Sequence, residues 1–257
     1  MNTVLILLKR YITIFIKNIN NYIIIYCLLP LFIYGLMVAP LSSIFSFINS
    51  SSMSYSYHSI PAVIFLTTIL ISLYTPLIIL NNDFKNKFQM YILTYSNKNL
   101  YFSSIILFTI LCSYLEFFIS FILVYNLSDA ATGMGIMISS IQLFYLALVT
   151  LPSILLFTCF GILLSNFFKK IENIVPFIFF IFLLISFGSS TFIPIDYYPL
   201  TLSDLISDYN IIYLQYNQYI HILSNNSINL GVVIISLTIA VILYFLNILF
   251  FKNRNQY

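Results

Sequence analysis

Six long uncharged apolar runs dominate the chain, over residues 22–48, 60–80, 100–125, 136–168, 174–195 and 230–251. A bilayer's hydrocarbon core, about 30 Å thick, is crossed by a helix of about 20 apolar residues, so each run predicts one transmembrane helix. No run alternates apolar and polar positions as a membrane β-strand must. The fourth run is too long for one upright span, which predicts a tilted helix or one continuing past Ser165 and Asn166. The segments around the runs have different patterns. Within residues 1–21, apolar positions recur from Val4 to Asn20 with Lys9, Arg10, Lys17, Asn18 and Asn20 interspersed, predicting an amphipathic helix lying in the interface. A frayed extension of the first span is the alternative. Residues 196–229 are too apolar for a solvated loop and too polar for a span, and they predict a pair of short re-entrant helices before span six. The expected fold is an all-α polytopic membrane protein, one domain over residues 1–257.

Composition narrows the function classes. The chain is 61% hydrophobic and 7% charged, with a mean hydropathy of +1.02, against about 25% charged residues in a soluble domain. That excludes an attached soluble catalytic domain, nucleic-acid binding and a secreted disulfide scaffold. Cys27, Cys112 and Cys159 each lie in an apolar run, where free Cys behaves as a small hydrophobe. Ala and Gly are rare while Ile, Phe, Tyr and Asn abound, as an AT-rich coding sequence produces.

Charge sets orientation. Lys9, Arg10 and Lys17 precede the first run, Lys85, Lys87 and Lys98 lie between the second and third, Lys169 and Lys170 follow the fourth, and Lys252 and Arg254 follow the sixth. Positive loops stay cytoplasmic, so six spans with both termini cytoplasmic put all ten basic residues on one face. Asp129, Asp196, Asp204, Asp208, His58 and His221 then fall on the other. A cleaved signal peptide fits poorly, because the first apolar run is about 27 residues and signal cores run about 7 to 15.

The glycines are isolated, so no phosphate-cradling GxxxxGK[ST] loop exists, and HExxH, GxSxG and CxxC are equally absent. The chain is therefore expected not to be an enzyme by itself, with no bound cofactor and no metal site. Within the spans one acid stands alone, Glu116. An ionised carboxylate at depth costs on the order of 3 kcal/mol, so Glu116 faces a bundle interior, a dimer seam or a water-filled path. A hydrogen-bonded structural acid and a group in a substrate path both remain open.

The loop over residues 82–98 carries the most specific local pattern. It opens with Asp83 and then sets Phe84, Phe88, Tyr91 and Ile92 at helical spacing among Lys85, Asn86, Lys87 and Gln89. A short amphipathic cytoplasmic helix is predicted, either resting on lipid headgroups or offering its aromatics to a pocket on a soluble protein.

With those residues in view, the chain resembles the membrane subunits of ABC-2 type transporters. The resemblance lies in the amphipathic amino-terminal helix, in Asp83, Lys85, Lys87, Phe88, Gln89, Tyr91, Ile92, Thr94 and Lys98 at the place of the family's coupling helix, and in GSSTFIPIDYYP over residues 188–199, with Pro194 and Pro199. The loop lacks the family's glycine and its Thr-Pro proline. The resemblance implies a permease of the bacterial plasma membrane that pairs with a second copy or a sister permease. It also implies separate ABC ATP-binding subunits carrying ATP, with Asp83, Phe84, Lys85, Lys87, Phe88, Tyr91 and Ile92 coupling to them. Pro194, Asp196 and Pro199 would form an outer gate and Glu116 would lie in the substrate path. The expected cargo is hydrophobic or amphipathic, such as a peptide toxin, bacteriocin or drug. A lipid-linked polysaccharide exporter and a membrane-embedded lipid-modifying enzyme are the alternatives.

Overall fold

The computed structural model describes residues 3–48, 55–86, 88, 97–132, 138–168, 171–225 and 227–254. Among them every regular element is helical: α1 (Thr3–Lys17), α2 (Ile19–Ile33), a π-turn (Tyr34–Val38), α3 (Ala39–Ile48), α4 (Tyr55–Lys85), α5 (Lys98–Thr132), α6 (Ser140–Phe167), α7 (Ile171–Gly188), a 3₁₀ turn (Ile195–Tyr197), α8 (Leu200–Tyr209), α9 (Ile211–Asn225) and α10 (Leu230–Arg254). Among the described residues, five stretches are long and apolar enough to cross a membrane: Ile19–Ser42, His58–Lys85, Lys98–Leu127, Ser140–Phe167 and Leu230–Phe251. The protein is an α-helical polytopic membrane protein.

The first apolar run is one rod with a defect. Ala39 donates its N–H to Tyr34 O, five residues back, and widens the helix beside Pro40, which has no N–H to continue the ladder. α4 and α6 form the centre. α4 packs most extensively on α5 and α6, and α6 in turn on α10. A Cβ added at Gly161 of α6 would lie 2.5 Å from Leu73 O and 2.9 Å from Pro76 Cγ of α4. Glycine is therefore what lets the two backbones meet beside the proline, the small-residue packing that membrane helices use in place of a hydrophobic drive.

Ring contacts show which helix ends lie together. Phe102 at the start of α5 meets Phe251 of α10 at 5.0 Å, Lys98 Nζ lies 5.8 Å from the same ring, and Phe167 of α6 meets Phe250 at 5.4 Å. The end of α4 joins them through Asp83 and Tyr101. The helix ends bearing the described basic residues thus gather at one end of the bundle. Tyr55, His58, α8 and α9 lie at the other.

The fifth run requires a correction. Hydropathy carries it to Ile195, but the helix ends at Gly188, and its apolar part, Asn173–Gly188, is shorter than the five long stretches. The reason is how its last carbonyls are satisfied. The Thr191 hydroxyl donates to Ile185 O (3.0 Å) and Ser186 O (2.8 Å), the Tyr198 hydroxyl donates to Phe187 O, and the Asn210 amide donates to Gly188 O (2.9 Å). All four carbonyls that a helix end leaves open have partners from outside the helix. Ser190 makes the reversal at φ 53°, with its hydroxyl donating to Ile193 O. α7 still leads from the basic end, where Phe168 meets Phe177 at 5.6 Å, to the far end, where the Tyr55 hydroxyl donates to Phe192 O.

Candidate functional site

The helix α1 does more than lie in an interface. Leu7 and Tyr11 are buried against the bundle, with Leu8, Ile12 and Phe15 packed beside them, while Leu5, Ile6, Ile14 and Ile16 stay exposed on the rest of its circumference. One side docks on the base of α5 and the other is apolar enough for lipid. Asn18 ends the helix by donating its side-chain amide to Ile14 O, and Phe15 stacks at 4.6 Å from Tyr22 across the break into α2.

That docking converges on Asp83 in the last turn of α4. Its Oδ1 accepts from Arg10 Nη2 at 2.9 Å, and its Oδ2 accepts from the hydroxyls of Tyr11 (3.2 Å) and Tyr101 (3.0 Å). Asp83 is 2% exposed. A buried carboxylate is tolerable only when its acceptor sites are filled, and here three donors from α1 and α5 fill them. Burial, and then the neighbouring Asp83 carboxylate, push the Tyr11 phenol well above its ordinary pKa, so it remains a donor. Arg10 also lies over the Phe88 ring, 3.5 Å from its centroid, and its buried Nη1 has no hydrogen-bond partner among the described residues. The aromatic face supplies the negative potential that guanidinium face lacks.

Of the loop residues singled out by pattern, Asp83 is thus turned inward as the knot of three elements. Phe84 and Phe88 are half-buried and packed into the same basic-end cluster, and Lys85 is exposed. Lys87, Tyr91 and Ile92 lie outside the described residues. Pattern reasoning missed Arg10, Tyr11 and Tyr101 as the partners of Asp83. The available signal was chemical: an acid in the segment between the second and third runs, and an Arg-Tyr pair on the helix that reaches it.

Glu116 sits midway along α5, fully buried. Its Oε1 accepts from Ser120 Oγ at 2.8 Å, one turn on. Ser120 Oγ lies 2.9 Å from Thr67 Oγ1 of α4, which also donates to Val63 O and so is held in place by its own helix. Thr109, Ser113, Glu116 and Ser120 follow one another by three or four residues, so they form one buried polar stripe on α5. Glu116 Oε2 and Ser113 Oγ have no hydrogen-bond partner among the described residues.

At the opposite end, α9 covers the bundle. Tyr216 and Tyr219 are fully buried beneath it, the Tyr216 hydroxyl donates to His58 O at 2.6 Å, and Gln142 of α6 donates to Leu223 O at 3.1 Å. The expected gate residues lie beside this cap. Pro194 precedes the 3₁₀ turn and is half-buried, Asp196 within it is exposed, and Pro199 caps α8 by accepting from Leu202 and Ser203 N–H groups at 2.9 Å. Among the described residues, no three His, Cys, Asp or Glu side chains are grouped to hold a metal. No protein-family model, curated protein or solved structure matches this chain.

Proposed function

We propose that this chain is the permease subunit of an ATP-driven ABC-2 type exporter. In this reading α7 counts as a sixth, shorter span, the basic end is cytoplasmic with both termini, and two permeases form the pore. Separate ATP-binding subunits supply the energy. The cargo is hydrophobic or amphipathic, of the peptide-toxin, bacteriocin or drug class, since the spans present aromatic and aliphatic side chains and one buried carboxylate.

The observation that carries the reading is the Asp83 knot. A membrane protein with no nucleotide-binding loop of its own can draw on ATP only through a partner that pushes on it. Asp83, Arg10, Tyr11 and Tyr101 join α1, the end of α4 and the base of α5 into one unit. Lys85 and Asn86 are exposed at its edge, where a soluble partner can reach them.

The test is co-expression with an ATP-binding cassette subunit encoded beside this chain. Asn86→Cys is expected to cross-link to that subunit from the cytoplasmic side, and Lys85→Glu to reduce copurification and export together while the protein still inserts. An Asn86→Cys labelled in intact cells by an impermeant thiol reagent, or a Lys85→Glu variant with normal copurification and export, refutes the reading. Phe84 and Phe88 are poorer probes, because truncating them also loosens α1.

A further inference from the structure

Of the candidate spans, the one beginning with α2 shares with α10 the smallest buried fraction, and between α2, α4 and the base of α5 lies a cavity of about 230 Å³. Its walls change character along the helix. Toward the basic end they carry Asn18, Asn21, Tyr22 and Tyr74. Asn21, Tyr22 and Tyr74 make no side-chain hydrogen bond among the described residues, so their amide and phenol groups are available to a ligand. Ile25 also lines a second, open hollow with Leu28, Leu31 and Phe32, and there the walls are wholly apolar. Leu28 is 57% exposed and Phe32 63%.

A polar chamber passing into an apolar groove has the shape of an amphiphile. From Tyr22 to Phe32 is ten residues, about 15 Å of helix, which equals half of the roughly 30 Å hydrocarbon core. Tyr22 therefore sits at headgroup depth when Phe32 sits near the midplane. The exposed Lys17 closes α1 immediately before Asn18, among the other basic residues of that end.

We infer that this site binds one phospholipid of the basic-side leaflet, with an anionic headgroup. The phosphate lies toward Lys17 and Asn21, the glycerol esters accept from the Tyr22 and Tyr74 hydroxyls, and one acyl chain runs along Ile25, Leu28, Leu31 and Phe32. A helix of a second copy could cover the apolar groove. It would leave the recessed amide and phenol chamber unfilled, which favours a lipid. The inference needs only a membrane-embedded helix bundle and stands apart from the exporter reading.

The test uses the full chain in phosphatidylcholine nanodiscs doped with a phosphatidylglycerol that carries a photoreactive diazirine on its acyl chain. After illumination, peptide mass spectrometry locates the label. Residues 22–32 are expected to be labelled about tenfold above the equally lipid-exposed face of α10 around Ile234, Val241 and Phe245. Unlabelled phosphatidylglycerol should compete in the wild-type protein, and a diazirine phosphatidylcholine should label residues 22–32 less. Ile25→Trp, which fills the neck between chamber and groove, should remove the excess, and the combination Lys17→Gln with Asn21→Leu should remove the headgroup preference. Equal labelling of the two faces, no competition in the wild type, or residues 22–32 of two copies cross-linked to each other in place of lipid overturns the inference.

Discussion

Removing the charge of Asp83 is the sharpest perturbation of the basic end. Asp83→Asn keeps the side chain's size and one acceptor oxygen, so the Tyr11 and Tyr101 hydroxyls can share it, but the ionic half of the Arg10 contact is lost. Hydrogen bonds to charged groups contribute about 1.5–3 kcal/mol, and breaking a fully buried pair costs about 3–5 kcal/mol. Arg10 is 27% exposed on its side chain and can turn toward water or headgroups, so the lower range applies. We expect α1 to lose about 2 kcal/mol of docking, which raises its opening about thirtyfold. Hydrogen exchange of the α1 amides in detergent or nanodiscs reads this directly, because local opening is what lets those amides exchange. A double-mutant cycle isolates the pair. Arg10→Gln alone should cost a similar amount, and Arg10→Gln with Asp83→Asn should cost little more than either, because one interaction is lost once. Additivity of the two single changes to within about 0.5 kcal/mol, or unchanged exchange of α1 in Asp83→Asn, would refute the view that this pair holds the helix.

Two further outcomes follow from the core. Gly161→Ala forces a methyl against Leu73 O, so α4 and α6 must part and the melting temperature in detergent should fall, with a cost of about 1–3 kcal/mol; an unchanged melting temperature would show that the close approach is not required. Glu116→Gln retains an oxygen for the Ser120 hydroxyl and should preserve expression and melting temperature, whereas Glu116→Lys brings a charge to a fully buried position and should fail to accumulate; destabilisation by Gln comparable to that by Lys would contradict the hydrogen-bonded arrangement.

The long helices are legible in the chain because a bilayer demands only length and apolarity, and both are local properties. The pair of short helices over residues 200–225 is legible for the same reason, as a stretch too polar for one class and too apolar for the other. What is not local escapes. The turn ending α7 depends on Asn210, which donates from 22 residues away, and on Tyr198, so a hydropathy profile running on through Phe192 and Ile193 overshoots the helix end. Asp83 is the clearest case. In the sequence it heads an amphipathic, basic loop and reads as part of a cytoplasmic coupling helix. In the fold it is buried, because Tyr11, 72 residues earlier, and Arg10 beside it reach it from α1. Helical periodicity shows that α1 has an apolar side but cannot say that part of that side faces protein.

The knot, the polar stripe and the α9 cap share α4. Its Asp83 end is tied to α1 and α5, its middle meets the stripe of α5 through Thr67 and Ser120, and its His58 end lies under Tyr216 of α9. The pairings of Asp83 with Tyr101 and of Thr67 with Ser120 run in opposite directions along α4 and α5, so the two helices are antiparallel neighbours over this whole length. Thirty-one residues make a helix of about 46 Å, longer than the hydrocarbon core, so its two ends stand at the two surfaces. A close-packed helix of that length does not compress when pushed; it tilts, slides or bends at Pro61 and Pro76, and packed interfaces answer in discrete steps. At the His58 end the α9 cap is held to α4 by the Tyr216 hydrogen bond, so tilting or sliding of α4 as a body moves that contact too. Sliding of α4 against α5 must break the hydroxyl pair of Thr67 and Ser120 as well as the Tyr101–Asp83 bond, and Glu116 stands one turn from that hydroxyl pair with its Oε2 unpartnered among the described residues.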